Sequence, residues 1–255
     1  TENGIEYNTE LEAIYDDFEV GRGSAADNAY WLDEPDITDA QFDAAQEYSD
    51  IAIVVFSRLG GENIGEQPHS QTQGAVNENK TYLQITDPEQ ELLGNVTERF
   101  GKVIVLLNTS NAMHCGFLDD EGVDAAMYVG LTGQSGAIAI GEILKGETLK
   151  GEPISPSGKL SDLYSYDPSN DPAYNNTESA GSGDSGTNIQ YSEGLYYGYR
   201  WYETADAEGY FEAQGSSYEE QVQFPFGFGL SYTEFEWDLL SVKIGEEEVS
   251  LGSAG

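Results

Sequence analysis

The chain has 255 residues, 38% of them apolar, enough for one large domain or one domain plus part of another. Its 47 acidic and 10 basic residues leave a net charge of −37. That charge excludes nucleic acid as a partner, because phosphates are repelled, and an anionic membrane surface for the same reason. The single cysteine, Cys115, excludes an internal disulfide. No apolar run approaches the roughly 18 residues of a membrane-spanning helix. The opening TENGIEYNTE has neither the basic nor the apolar region of a secretion signal. Tyrosine, with 17 copies, is the commonest aromatic; it suits surfaces that are both flat and hydrogen-bonding, such as sugar sites. The excess of carboxylates reads as a solvated acidic surface that favours solubility.

In chain order, residues 5–19 carry apolar side chains at Ile5, Leu11, Ile14, Tyr15 and Phe18, a helical spacing over the second half. DITDAQFDAAQEYSD predicts a helix opening at Thr38, with Asp39 in its first turn. IAIVVFS follows as a continuous apolar strand. ITDPEQELLGNVTERFG predicts a second capped helix, with Thr86 as N-cap, Pro88 in the first turn, Glu89 at the third position and Gly101 as the stop. KVIVLLNTS is the next buried strand and DAAMYVGL a third, and TGQSGAIAIGEILKG reads as a small-residue helix closed by Gly146. Continuous apolar strands alternating with helices predict an α/β fold, a three-layer sandwich with a mainly parallel sheet covered on both faces, layered like a flavodoxin. In such sheets the functional loops leave the carboxyl ends of the strands. Arg58–Gly65, Asn108–His114 and Gly130–Gln134 are therefore expected at one edge.

Residues 164–190 are rich in Asn, Asp, Gly, Ser and Pro and read as a solvated loop insertion. Asp167, Ser169, Asp171 and Glu178 have part of a calcium-loop spacing, but Pro172 stands where such a loop needs glycine. No other spacing suggests a metal. FPFGFGLSYTEFEW predicts a turn leading into an alternating strand. The tail WDLLSVKIGEEEVSLG predicts a strand, a turn and a further strand, too little for an independent sheet. The expected division is one domain over 1–230, its early part cut short, and the start of another over 231–255.

Six segments, in order, carry a family likeness. AIVVFSRLGGEN, KVIVLLNTSNAM, YVGLTGQSGAIAIGEILKGE, SPSGKL, YSEGLYYGYRWYE and FPFGFGLSYTEFE resemble successive motifs of the α/β-sandwich domain of glycoside hydrolase family 3, which includes β-glucosidases and β-xylosidases. The last resembles that domain's exit into a fibronectin-III-like module. Together they span roughly residues 45–237.

The resemblance implies a retaining β-glycosidase acting on an oligosaccharide or β-glycoside, with no cofactor. It places the catalytic acid/base at Glu62, the counterpart of the glutamate in the family's Ser-Gly-Glu-Gly loop. The chemistry agrees. A retaining glycosidase needs one carboxylate as nucleophile and one protonatable carboxyl as acid, then base. Gly60 and Gly61 give that loop a backbone free to approach closely. Arg58 matches the family's arginine and is expected to orient a carboxylate or contact the sugar. Asn63 and His69 are the further expected substrate contacts.

The pattern departs from the family after Glu62: Asn63 replaces glycine, and Ile64-Gly65-Glu66-Gln67 replaces the usual Asp-Arg, which makes Glu66 a rival acid. His114 is expected to cap a turn, Glu193 and Arg200 to form a buried pair, and Trp201 and Tyr202 to pack. The family's nucleophile is an aspartate on a (β/α)8 barrel. Neither Asp50 nor Asp162 has that context, and a barrel needs more chain than is present. The resemblance therefore implies a partner barrel elsewhere in the same protein. A non-catalytic carbohydrate-binding or scaffolding domain of that descent is the alternative, motivated by Asn63 and the missing Asp-Arg. An unrelated flavodoxin-like binding domain lacks its phosphate-binding glycine loop.

Overall fold

The computed structural model describes residues 4–22, 33–58, 60, 80–133, 135–156, 158–174, 191–236 and 238–249. Helix α1 (Thr9–Arg22) precedes α2 (Asp39–Tyr48), whose N-cap Thr38 forms a reciprocal capping box with Gln41. Strand β1 (Ile51–Arg58) leads through α3 (Asp87–Arg99) to β2 (Lys102–Thr109) and then β3 (Ala125–Tyr128). The three strands are parallel, in the spatial order β1-β2-β3, with Ile51 opposite Lys102 and Ile104 opposite Ala125. This is the sheet of an α/β sandwich. Helix α4 (Ala137–Lys145) follows and ends at Gly146, as its sequence predicts.

The caps explain where the elements start. Thr86 accepts from the Glu89 amide while the Glu89 carboxylate accepts from the Thr86 amide at 2.7 Å, so two orphan donors of α3 are satisfied at once. At the other end Gly101 donates to Asp50 Oδ1 at 2.9 Å, tying the start of β2 to the start of β1. Arg99 on α3 reaches Asp39 on α2 at 2.6 Å and lies over the Phe42 ring.

The main core lies between α3 and one face of the sheet. Phe42, Val54, Phe56, Leu93, Val96, Val103, Val105 and Leu107 form it, and Phe56 packs edge-on against Phe117. The opposite face of β1 is different. Ile51, Ile53 and Val55 are 55%, 45% and 49% exposed. The continuous apolar run of β1 predicted burial on both faces; the strand instead alternates, with Val54 and Phe56 in the core and the other face open.

A second, smaller cluster (Leu163, Tyr202, Ala205, Phe211 and Val222) is built by helices α5 (Tyr199–Ala207), α6 (Tyr210–Ala213) and α7 (Tyr218–Gln221). Strand β4 (Tyr164–Ser165) pairs antiparallel with β5 (Val222–Phe224) beside it. The solvated loop expected over 164–190 thus opens with two buried residues. The strand expected after Phe228 does not form among the described residues: Tyr232, Phe235 and Leu240 stay exposed and have no sheet face to pack on. The tail does form the expected hairpin, β6 (Val242–Ile244) with β7 (Glu247–Val249).

Two measurements test this core. Leu93, 1% exposed, is expected to cost about 2–5 kcal/mol on Leu93→Ala, read from the shift of a urea-unfolding midpoint. Cys115 is fully buried and burial pushes its thiol up to about 12. A thiol reagent at pH 8 is expected to leave it unmodified in the folded chain and to modify it once in urea.

Candidate functional site

The sheet's register brings the carboxyl ends of β1 and β2 level, with Arg58 opposite Thr109. Two of the three expected loops meet there. A Cβ built on Gly60 would lie 1.6 Å from Ser110 Oγ and 3.3 Å from Asn111 Oδ1, so the chain leaving β1 runs tightly against the turn leaving β2. Only glycine allows that approach without displacing Ser110. The Ser110–Asn111 turn is itself fixed, since Thr109 Oγ1 accepts the Asn111 amide at 3.1 Å and donates to the Asn111 carbonyl at 2.8 Å.

Arg58 dominates this edge. Its side chain is 1% exposed and its partner Glu89 is 4%. Nη1 donates to Glu89 Oε1 and Nη2 to Glu89 Oε2, both at 2.7 Å, a bidentate pair. The remaining donors go to backbone carbonyls: Nε to Tyr82 at 2.6 Å, Nη1 to Ser57 at 2.9 Å and Nη2 to Gln84 at 2.8 Å. All five N–H groups of the guanidinium are therefore used. The expectation that Arg58 orients a carboxylate or contacts sugar takes a definite form: the carboxylate it holds is that of Glu89. Because Ser57 precedes the β1 loop and Tyr82 and Gln84 follow it, one side chain joins the departing and returning ends of that loop. Lys80 reinforces the returning end through the Ile85 carbonyl and Asp87, each at 3.0 Å.

Glu62, Asn63, His69 and the rival acid Glu66 lie outside the described residues, as do Gln134 and Glu178. Arg58 and Gly60 bracket the point from which the chain carrying Glu62 departs. The His114 amide donates to the Leu83 carbonyl at 3.1 Å, which ties the chain after β2 to the chain before α3. Arg200 is exposed and lies over the rings of Tyr197 and Tyr199, which rules out the buried pair expected with Glu193. The aromatic neighbours outcompeted the carboxylate because a guanidinium stacks on ring faces while remaining in water. Trp201 packs edge-on against Tyr210 and Tyr202 is buried, both as expected. Asp167 and Asp171 spend oxygens on backbone amides, those of Ser169, Ala173 and Gly198. Among the described residues no cluster of three or more His, Cys, Asp or Glu is arranged to hold a metal ion.

Glu89 is the site residue that sequence reasoning took only for a helix cap. A capping glutamate has one oxygen facing the cap, and nothing local announces that an arginine 31 positions earlier takes both. The signal available was the arginine itself, a charged residue ending an apolar strand, which demands a buried counter-charge.

Comparison with known proteins bears on this edge. The model of the glycosyl hydrolase family 3 C-terminal domain matches residues 4–199. A β-glucosidase of Ruminococcus albus is 32% identical over 241 residues, which is 92% of this chain and 22% of that protein. The thermostable β-glucosidase B of Acetivibrio thermocellus is 29% identical over 92% of this chain and 27% of its own length. The crystal structure of a β-glucosidase from Paenibacillus barengoltzii superposes with a TM-score of 0.71 at 27% identity, covering 94% of this chain and 23% of that one. The chain thus spans about a quarter of the relatives it matches.

Removing one member of the buried pair leaves the other charge uncompensated. Glu89→Gln is expected to destabilise the fold by about 3–5 kcal/mol, and the double change Arg58→Met with Glu89→Leu to cost less than either single change. Urea denaturation of Glu89→Gln, of Arg58→Met and Glu89→Leu singly, and of the double change checks this; a double that loses as much as the singles would contradict it.

Proposed function

The chain belongs to glycosyl hydrolase family 3, and from that premise we propose that it supplies the acid/base to a retaining β-glycosidase acting on terminal β-linked sugars. Glu62 is the acid/base. The observation that carries the reading is where the loop starts. Arg58, four residues before Glu62 in the sequence, ends a strand at the carboxyl edge of a parallel sheet, where α/β folds build their sites, and six motifs in family order support the assignment.

In the first step Glu62 gives its proton to the glycosidic oxygen as the C1–O bond breaks, while an aspartate of a (β/α)8 barrel elsewhere in the same protein bonds to C1. In the second step Glu62 takes a proton from water, which attacks C1 and releases the aspartate. Glu62 must be protonated at working pH, and a carboxyl enclosed with a second carboxylate meets that condition. In this reading Arg58 is not a direct partner of Glu62, since all five of its N–H groups are committed elsewhere. Its role in this reading is positional: it fixes both ends of the loop that carries Glu62, Asn63 and His69, the last two as sugar contacts. The non-catalytic alternative rests on Asn63 and the absent Asp-Arg alone.

In the complete enzyme Glu62→Gln is expected to slow substrates with poor leaving groups by about 10²–10⁴-fold and activated aryl glycosides far less at the glycosylation step. Equal loss on both would sink the acid/base assignment. The chain alone is expected to turn over no aryl β-glycoside. Turnover abolished by Glu62→Gln would put the nucleophile within these residues.

A further inference from the structure

A cavity of about 150 Å³ opens between the turn after β2 and the segment around β4. It is distinct from the Arg58–Glu89 pair and shares no residue with it. Met113 and Leu163 give it an apolar floor, both nearly fully buried. Asp162, Asp171, Ser165 and Tyr202 give it a polar wall. This is the composition of a small-molecule site: an apolar surface with a few convergent polar groups.

The polar wall is fixed in place. Asp171 Oδ1 accepts the Ala173 amide and its Oδ2 the Gly198 amide, both at 2.7 Å. Asp162 Oδ1 accepts the Leu163 amide at 2.8 Å. Gly198, at φ +56° and ψ −139°, lies between the two carboxylates: its amide points to Asp171, and a Cβ built on it would stand 3.5 Å from Asp162 Oδ1. Residues with side chains avoid that backbone conformation, so the space between the carboxylates stays open. Each carboxylate retains acceptor capacity beyond its backbone bonds. The Tyr202 hydroxyl, next to Ser165 and 3.5 Å from the Asp167 carbonyl, completes the wall.

Size and charge narrow the ligand. A cavity of this volume accommodates one six-membered ring. Two carboxylates in a chain of net charge −37 repel anions. A neutral ring that carries hydroxyl donors satisfies the carboxylates and lays its carbon face on Met113 and Leu163. We propose that this cavity binds a single pyranose, as a sugar site separate from Glu62. The choice of a sugar over another neutral polyol rests on the glycosidase reading above; the site itself rests on the cavity.

The test is a titration of the chain with methyl β-glucoside, following the amide NMR signals of Leu163 and Gly198. Saturable shifts in the millimolar range are expected. Asp162→Asn is expected to weaken binding at least about tenfold, by removing an acceptor for sugar hydroxyls. Ala112→Leu, which places three more carbons beyond the methyl at the cavity wall, is expected to weaken it similarly, and serves alone if Asp162→Asn unfolds. Glu62→Gln is expected to leave it unchanged. The proposal is overturned if nothing saturates, if binding survives both cavity variants, or if calcium chloride shifts the two amides and the glycoside does not. Binding lost together with a normal leaving-group signature for Glu62→Gln would remove the site and spare the function. Binding retained with equal losses on both substrate types would do the reverse.

Discussion

An arginine taken out of water loses hydration at five N–H groups, and the cost of that transfer is recovered only when every one finds an acceptor. Arg58 finds them in one carboxylate and three carbonyls drawn from three parts of the chain. The arrangement of this edge follows from that demand. Glu89 has to stand on the first turn of α3, facing the end of β1, and the same carboxylate caps the helix. The register of β1 against α3 is therefore set by a polar contact as well as by the apolar packing of Leu93 and Val96. Such a pair adds little net stability over a hydrophobic substitute, but it does not tolerate a partner of the wrong geometry. What it contributes is a defined position for the chain that leaves β1.

The sheet supports this at low cost in chain. Three parallel strands in sequential order place the ends of β1 and β2 level, so the contact between Gly60 and the Ser110–Asn111 turn follows directly from the register. One sheet face is buried beneath α3. On the other, β1 leaves Ile51, Ile53 and Val55 half exposed. An exposed apolar face of this kind is a liability for association, and a net charge of −37 opposes self-association of the chain through it.

Much of the fold was legible in the sequence, for local reasons. Thr38, Thr86 and Gly146 announce helix ends through side-chain or backbone geometry confined to one turn, and all three hold. The strands were legible as apolar runs. What the runs did not disclose was the exposure of one β1 face, because whether a face is covered depends on the elements packed against it and not on the strand's own residues. The strand expected after Phe228 failed for the related reason that alternation has no meaning without a face to pack on. At the candidate site, Arg58 was legible as a residue type out of place at the end of an apolar strand, but its partner was not. The five hydrogen bonds that define its role span up to 31 residues of sequence. The buried pairing of Arg200 went wrong because tyrosines adjacent in sequence offered it a solvated alternative.

The Arg58 clamp has a consequence for how such a domain can vary. With Ser57 on one side and Tyr82 and Gln84 on the other held by a single guanidinium, the two ends of the intervening segment are fixed whatever lies between them. The entropy of closing a loop grows only slowly with its length, by about 0.6 kcal/mol per doubling. Residues between those ends can be replaced, added or removed at little expense to the core. The clamp is a fixed mount, and the departures from family pattern at Asn63 and at Ile64 to Gln67 all fall in the stretch of sequence between its two ends, where a change need not disturb the sheet.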